Sequence, residues 1–308
     1  MKYGRIIVPA YNEEQNISLF YEEIIKHINY DNYEIDVLYI NDGSNDFTLE
    51  EIKKLNKKDD RVKYISLSRN FGKESAMHAG MVNSQEKDFV IIIDCDLQQP
   101  PELIKDMIKY YEEGFKIVYT KGKTRKGEPK LRTFFANWFY RIYNFYTEMP
   151  LENGTKDYQL IDNQVLKAFL NMKDNYRFIK GIFSWVGYPR KCIEYDYIAR
   201  QHGKGTWNFK SLMKYAFNGM NQFSTILLVL PVFTVLISLL LVAMNIVLMT
   251  TGVFTIAEMV LGLQSSFILF VIGILSYVVI YLLYQNRKQA LNRPVYLINE
   301  TSGELDID

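Results

Sequence analysis

The sequence predicts an α/β protein: a mostly parallel sheet covered by helices, followed by two apolar helices. Three observations carry this expectation. Over residues 1–120, short apolar runs alternate with amphipathic ones. A polar cluster stands at the end of each of the first four apolar runs. Beyond residue 224, two long stretches carry no charged residue at all.

The elements follow in order. RIIVPA reads as a first strand, and Glu13–Ile28 as an acidic amphipathic helix. EIDVLYI leads through NDGSND to a helical run over Phe47–Asn56. RVKYISL leads to SRNFGKESAMHAGMVNS, and DFVIIID leads to CDLQQPPELIKDMIKYYEEG. FKIVYT follows as another strand. Parallel α/β sheets bind ligands at the carboxyl ends of their strands. Pro9–Glu13, Asn41–Asp46, Ser68–Lys73 and Asp94–Gln99 stand at four such ends, so the four clusters are expected to converge on one ligand.

Residues 121–130, KGKTRKGEPK, read as a basic loop with the charge to fold over a ligand or to meet anionic headgroups. Residues 131–150 mix aromatics with Arg132 and Arg141, which suits either a membrane interface or an aromatic core helix. Residues 209–224 read as a second interfacial helix. Residues 225–249 and 266–284 are each close to the roughly 20 residues that a membrane-crossing helix needs. Lys204, Lys210 and Lys214 flank the first run, and Arg287, Lys288 and Arg293 the second. The connector between the runs carries only Glu258. The positive-inside rule then predicts a multi-pass cell-membrane protein with the N-terminal domain and both termini in the cytoplasm. The expected organisation is a catalytic domain over 1–208, the interfacial helix, two transmembrane helices and a tail over 285–308.

Composition sets further bounds. A net charge of +1 does not point to nucleic acid. Two cysteines, Cys95 and Cys192, make no secreted disulfide framework. His27, His78 and His202 are scattered and show no zinc spacing.

Residues 91–96, IIIDCD, pose the chemical question. Side chains alternate along a strand, so Asp94 and Asp96 share one face and Cys95 faces the core. Two carboxylates on one side repel unless a positive charge joins them. A hard divalent cation suits their oxygens and can also hold a diphosphate.

Several segments together resemble glycosyltransferase family 2: VPAYNEEQNI (8–17), INDGSND (40–46), LSRNFGKESAMHAG (67–80), DCDLQQPPE (94–102), KDYQLID (156–162), RFIKGIFSWVG (177–187) and RQHGKGTWNF (200–209). The resemblance spans essentially the whole chain. It is strongest to the branch that transfers sugars to polyprenyl phosphates, such as dolichol-phosphate mannose synthases and bactoprenol glucosyltransferases. It implies a GT-A fold and an inverting, metal-dependent transfer from a nucleotide sugar, UDP-glucose or UDP-N-acetylglucosamine, to undecaprenyl phosphate. The implied companions are a bilayer, a homo-oligomeric assembly and a downstream lipid-sugar flippase.

The resemblance also assigns residues. Pro9, Tyr11, Glu13 and Asp42 line the nucleotide pocket. Asp94 and Asp96 hold Mg²⁺ or Mn²⁺. Asp157 matches the aspartate usually taken as catalytic base. Arg200 and Lys204, near Trp207, cover the diphosphate. Arg177 and Trp185 belong to the acceptor side, where Arg69, Lys73 and Arg125 are candidates to shield Asp157 from a phosphate. The chain departs from the family at Asn41, Gln99 and the Lys156–Gln159 segment, where relatives often carry Asp, Asp and Gly-Asp-Phe-Arg.

A lipid phosphate is already ionised near neutral pH, with a second pKa of about 6, so it hardly needs a strong base. Three roles therefore fit Asp157: orienting the acceptor, taking a late proton, or stabilising positive charge at the sugar carbon. A processive polysaccharide synthase on the same fold would carry Q-x-x-R-W and more apolar spans. A catalytically dead scaffold would have lost Asp94, Asp96 or Asp157. Neither pattern is found in this sequence.

Overall fold

The structure is a computed structural model that describes residues 1–123, 154–172, 179–196, 254–290 and 293–303, with isolated positions between them. Its strands are β1 (Lys2–Ala10), β2 (Tyr33–Asn41), β3 (Val62–Leu67), β4 (Phe89–Ile92), β5 (Ile117–Gly122), β6 (Thr155–Asp162), β7 (Arg190–Tyr195) and β8 (Ile298–Thr301). Its α-helices are α1 (Glu14–Ile24), α2 (Thr48–Lys58), α3 (Lys73–Val82), α4 (Leu103–Glu112), α5 (Asn163–Leu170), α6 (Ile179–Trp185) and α7 (Phe254–Ala290).

The strands form one sheet in the order β7-β5-β6-β4-β1-β2-β3-β8. β3, β2, β1 and β4 run parallel, as alternating strands and helices predict. The sheet is mixed beyond them. β6 lies antiparallel between β4 and β5, and β8 lies antiparallel on β3. Chain order reverses between β1 and β4, which opens a crevice at their carboxyl ends.

The central strands are apolar on both faces because both are covered. On one face, Ile6, Val8 and Ile91 pack with Phe20 of α1, Ile52 of α2 and Met107 of α4. On the other, Ile7, Leu38 and Ile92 pack with Met77 of α3, Phe169 of α5 and Ile182 of α6. α3 crosses β1 so closely that a Cβ on Gly80 would overlap the Ile7 side chain. Cys95 is buried in the first of these cores, as the alternation predicts.

The carboxyl-terminal region departs from expectation. α7 is one continuous helix that takes in most of the expected connector, the second apolar run and the polar residues after it. The connector has no proline, and its Phe-Thr-Ile-Ala-Glu-Met-Val-Leu stretch favours helix continuation. Residues 225–249 lie, apart from three positions, outside the described residues. Among the described residues no helix is long and apolar enough to cross a membrane. This corrects the two-span, multi-pass cell-membrane placement. Its basis was uncharged run length together with the basic flanks, and the second run is no separate element: it lies inside a helix that also carries Glu258, Gln264, Gln285, Arg287 and Lys288. Residues 121–150 and 209–224 fall mostly or wholly outside the described residues, and with them the basic loop and both interfacial helices.

After α7 the chain returns to the sheet. The Leu297 carbonyl accepts from the Ser68 N–H, and Lys53 Nζ bonds both Glu300 oxygens at 2.7 and 2.8 Å. Tyr296 packs its ring against His78 of α3. Part of the expected tail is therefore an edge strand of the main domain.

Candidate active site

The crevice side of the sheet is built by stitching neighbouring strand ends together. The turn after β1 places Asn12 at φ 55°. Its N–H donates to Ser44 Oγ at 3.0 Å, and its side-chain oxygen accepts from the Asn45 N–H at 2.9 Å. The Glu13 N–H donates to Thr48 Oγ1 at 2.8 Å. Pro9, Tyr11 and Glu13 are thus set against the turn after β2 that carries Asp42. Asn41, where relatives often have Asp, donates from its amide to Ser66 Oγ at 2.9 Å and accepts from the Ser44 N–H at 3.2 Å. The neutral amide makes the first bond with its nitrogen and the second with its oxygen, with no charge to bury.

Asp42 is 3% exposed and accepts from the Phe71 and Gly72 N–H groups at 2.7 and 2.9 Å. Burial pushes its carboxyl up to about 6, against the pull of those two N–H groups and of Arg69. The loop carrying the donors lies directly over Gly43, at φ +62°, where an added Cβ would sit 2.6 Å from the Asn70 nitrogen. Only glycine fits that contact. Arg69, expected on the acceptor side, stacks on the Phe71 ring at 4.0 Å within this same loop.

A second cluster lies across the crevice. β4 ends at Ile92, so Asp94 and Asp96 stand on the turn just past it rather than within the strand. Asp96 Oδ1 accepts from the Gln98 N–H, which tightens the turn, and Leu97 takes φ 56°. Gln99 is buried and grips Asp94 twice, accepting from its N–H and donating to Oδ2. The neutral residue at a position often acidic in relatives therefore anchors the first aspartate of the pair.

Lys73, the first residue of α3, reaches between Asp94 and Asp157. Its Nζ lies 2.7 Å from Asp94 Oδ1 and 2.7 Å from Asp157 Oδ2. Lys180 of α6 approaches the other Asp157 oxygen at 3.3 Å and the Thr155 carbonyl at 3.2 Å. Burial alone would push the Asp157 carboxyl up. The Lys180 and Lys73 ammoniums outweigh it and hold the group well below the usual carboxylate range. Asp157 caps no helix: it lies within β6, and Asp162 caps α5 by accepting from the Gln164 N–H at 2.8 Å.

Lys180 was missed by sequence reasoning. Nothing in RFIKGIFSW marks that lysine, because its partner sits on a different element. Trp185 ends α6 and is 53% exposed. Arg125, Arg177, Arg200, His202, Lys204 and Trp207 lie outside the described residues.

The residues present fit a divalent cation. Asp94 and Asp96 supply hard oxygen donors on one turn, and an ammonium already lodges between Asp94 and Asp157, so this place draws positive charge. Among the described residues, Glu23, His27 and Glu102 also bring ligand atoms within 4.8 Å of one another, but Glu102 is exposed and that group does not include the sequence-predicted pair.

Comparison with known proteins agrees with the motifs. The sequence profile of Glycosyl transferase family 2 matches residues 5–170. CsbB of Bacillus subtilis (strain 168), whose name assigns it provisionally to the glycosyltransferases, is 37% identical over 98% of this chain and 93% of its own. A prophage bactoprenol glucosyl transferase homolog of Escherichia coli (strain K12) is 34% identical over 71% of this chain and 72% of its own. Among solved structures, residues 1–349 of S. aureus TarS align at 18% identity with a TM-score of 0.45, over 64% of this chain and 59% of that one. That likeness is too slight to bear on ligand or reaction. The profile match and the relatives over a third identical decide the matter: the chain belongs to glycosyltransferase family 2.

Proposed function

We propose that this chain is an inverting glycosyltransferase that moves a sugar from a nucleotide sugar to a polyprenyl phosphate, with undecaprenyl phosphate as acceptor and UDP-glucose or UDP-N-acetylglucosamine as donor. The observation that carries this reading is the cluster in which Lys73 joins Asp94 to Asp157 while Lys180 flanks Asp157 from the other side. It gathers negative and positive groups in one place, as a reaction between two phosphate-bearing substrates requires. Relatives that carry bactoprenol glucosyl transferase in their names support the choice of acceptor.

The proposed division of labour follows from position. Pro9, Tyr11, Glu13 and Asp42 line the base and ribose, with the Arg69–Gly72 loop closing over Gly43. Asp94 and Asp96 hold Mg²⁺ or Mn²⁺, which when bound supplies charge neutralisation for the leaving diphosphate. Gln99 keeps Asp94 aimed. Arg200 and Lys204 cover the diphosphate, as the resemblance implies. Asp157 stays ionised between its two lysines, and the acceptor phosphate, itself ionised near neutral pH, attacks without first losing a proton.

The test is sugar transfer by the purified protein in detergent. Undecaprenyl phosphate, Mg²⁺ or Mn²⁺ and a panel of radiolabelled UDP- and GDP-sugars are supplied. The expected result is one donor yielding a chloroform-soluble labelled lipid, abolished by EDTA. Folded protein that gives no labelled lipid with any donor would end this reading.

A further inference from the structure

We propose that the cleft between α6 and the β5–β6 strands is the seat of the acceptor's phosphate, with Lys180 as its inner wall. The proposal rests on the lipid-phosphate reading above and gives it a location. The cleft is small and open to solvent, with a cavity volume of about 40 Å³. Lys156, Lys180 and Arg190 line it, against a single lining carboxylate, Glu152. That carboxylate is already engaged, accepting from the Tyr119 hydroxyl at 2.6 Å and lying 3.8 Å from Lys121 Nζ. Ile117 and Phe183 add an apolar wall. Excess positive charge beside hydrocarbon fits a phosphate monoester of an apolar alcohol. Tyr119, Thr155, Gln159 and Ser184 also line it, and their neutral groups can bond the remaining phosphate oxygens.

Lys180 gives the cleft its direction. It lines the cleft and also approaches Asp157 Oδ1, while Lys73 holds Oδ2 and reaches on to Asp94. A phosphate on Lys180 is therefore separated from Asp157 by that lysine alone, and from Asp94 by Lys180, Asp157 and Lys73 in turn. Both Asp157 oxygens face ammonium groups, so its part here is to position Lys180 and Lys73 rather than to meet the acceptor. Without those cations a phosphate beside this carboxylate would be repelled.

The step balances. An oxygen of the acceptor phosphate dianion forms a bond to the anomeric carbon. The bond from that carbon to the donor's diphosphate oxygen breaks, and the electron pair leaves with the nucleoside diphosphate. No proton is transferred and no oxidant or reductant is consumed.

Lys180→Met, Lys180→Arg and Arg190→Met test the proposal. The first readout uses wild-type and variant proteins with farnesyl phosphate alone, followed by calorimetry. Lys180→Met should weaken binding at least tenfold, Arg190→Met severalfold, and Lys180→Arg should restore most of it. UDP affinity should stay within twofold throughout. The second readout is the KM for undecaprenyl phosphate, which should rise with little change in the donor KM. Farnesyl phosphate binding that is unaltered in both Met variants would overturn the proposal, as would equal losses of UDP affinity. If Lys180→Met does not fold, Arg190→Met decides alone, since Arg190 is exposed at the start of β7. Wild-type binding of farnesyl phosphate that depends on Lys180, with no turnover from any donor, would defeat the transfer reading while leaving this anion site standing.

Discussion

Asp42 and Asp157 stand at the carboxyl edge of the same sheet, the first buried and the second partly so. Their surroundings drive them in opposite directions. Asp42 is held by two backbone N–H groups, with Arg69 acting through space, and burial wins: its carboxyl rises to about 6. Asp157 meets burial too, but two ammoniums outweigh it and its carboxyl falls. The Asp42 side of the crevice is thus shaped by main-chain geometry, the Asp157 side by long ionic side chains. The first should be sensitive to any change of loop path, the second to any change of charge.

The largest expected effect comes from charge. Asp157→Asn leaves Lys73 and Lys180 facing a neutral amide, and turnover should fall by ~10²–10⁴-fold. Nucleotide affinity should change less than threefold. Equal losses in a UDP titration and in steady-state rate would place Asp157 on the donor side and collapse the contrast. Asp96→Asn should lower turnover by about 10²-fold or more, with a matching loss of Mn²⁺ affinity by electron paramagnetic resonance. Full activity of that variant in EDTA would remove the metal from the reaction.

Geometry comes next. Gly43→Ala forces a Cβ against the Asn70 backbone and leaves an alanine at positive φ, so stability should fall by about 1–3 kcal/mol in urea unfolding, together with nucleotide affinity. Unchanged UDP binding would show that this loop does not shape the donor pocket.

The pH dependence sharpens the contrast further. Asp42 has a folded pKa of about 6 against an ordinary 3.8, so between those values the folded protein keeps a proton that the unfolded chain releases. Its contribution to stability is full below the unfolded value and is lost as pH rises through about 6, on the order of 3 kcal/mol. Asp42→Asn should flatten that part of the stability profile in urea titrations from pH 4 to 7. An unchanged slope would mean that Asp42 ionises freely. The smallest effect belongs to Lys53→Ala, which removes a part-exposed pair with Glu300 and should cost under about 1 kcal/mol. A larger loss would mark β8 as a main support of the sheet.

The four polar strand ends were legible because a parallel sheet has only one edge at which such clusters can meet. The inward-facing Cys95 agrees with strand alternation, although the strand stops at Ile92 and Asp94 and Asp96 stand on the turn beyond it. Gln99 and Asn41 could be seen as departures, but not as the neutral anchors they are, since each depends on a partner's position. Lys180 was invisible for the same reason: its meeting with Asp157 is made by α6 folding back over β6. β8 was hidden because four residues, INET, carry no periodicity to read. The multi-pass placement failed on a different ground. A run of uncharged residues records composition, and where a helix begins and ends is decided by the residues around it, as α7 shows by taking in both connector and flank.

The return of β8 to β3 also sets a schedule. About 230 residues separate the end of β3 at Leu67 from the start of β8 at Ile298. At ~5–20 residues per second, a ribosome needs roughly 10–50 seconds to make them. During that interval β3 has no partner on its outer side, and the loop that carries Phe71 and Gly72 to Asp42 lacks its neighbour. The nascent domain can assemble most of its sheet early, yet the finished crevice must wait until β8 has been made.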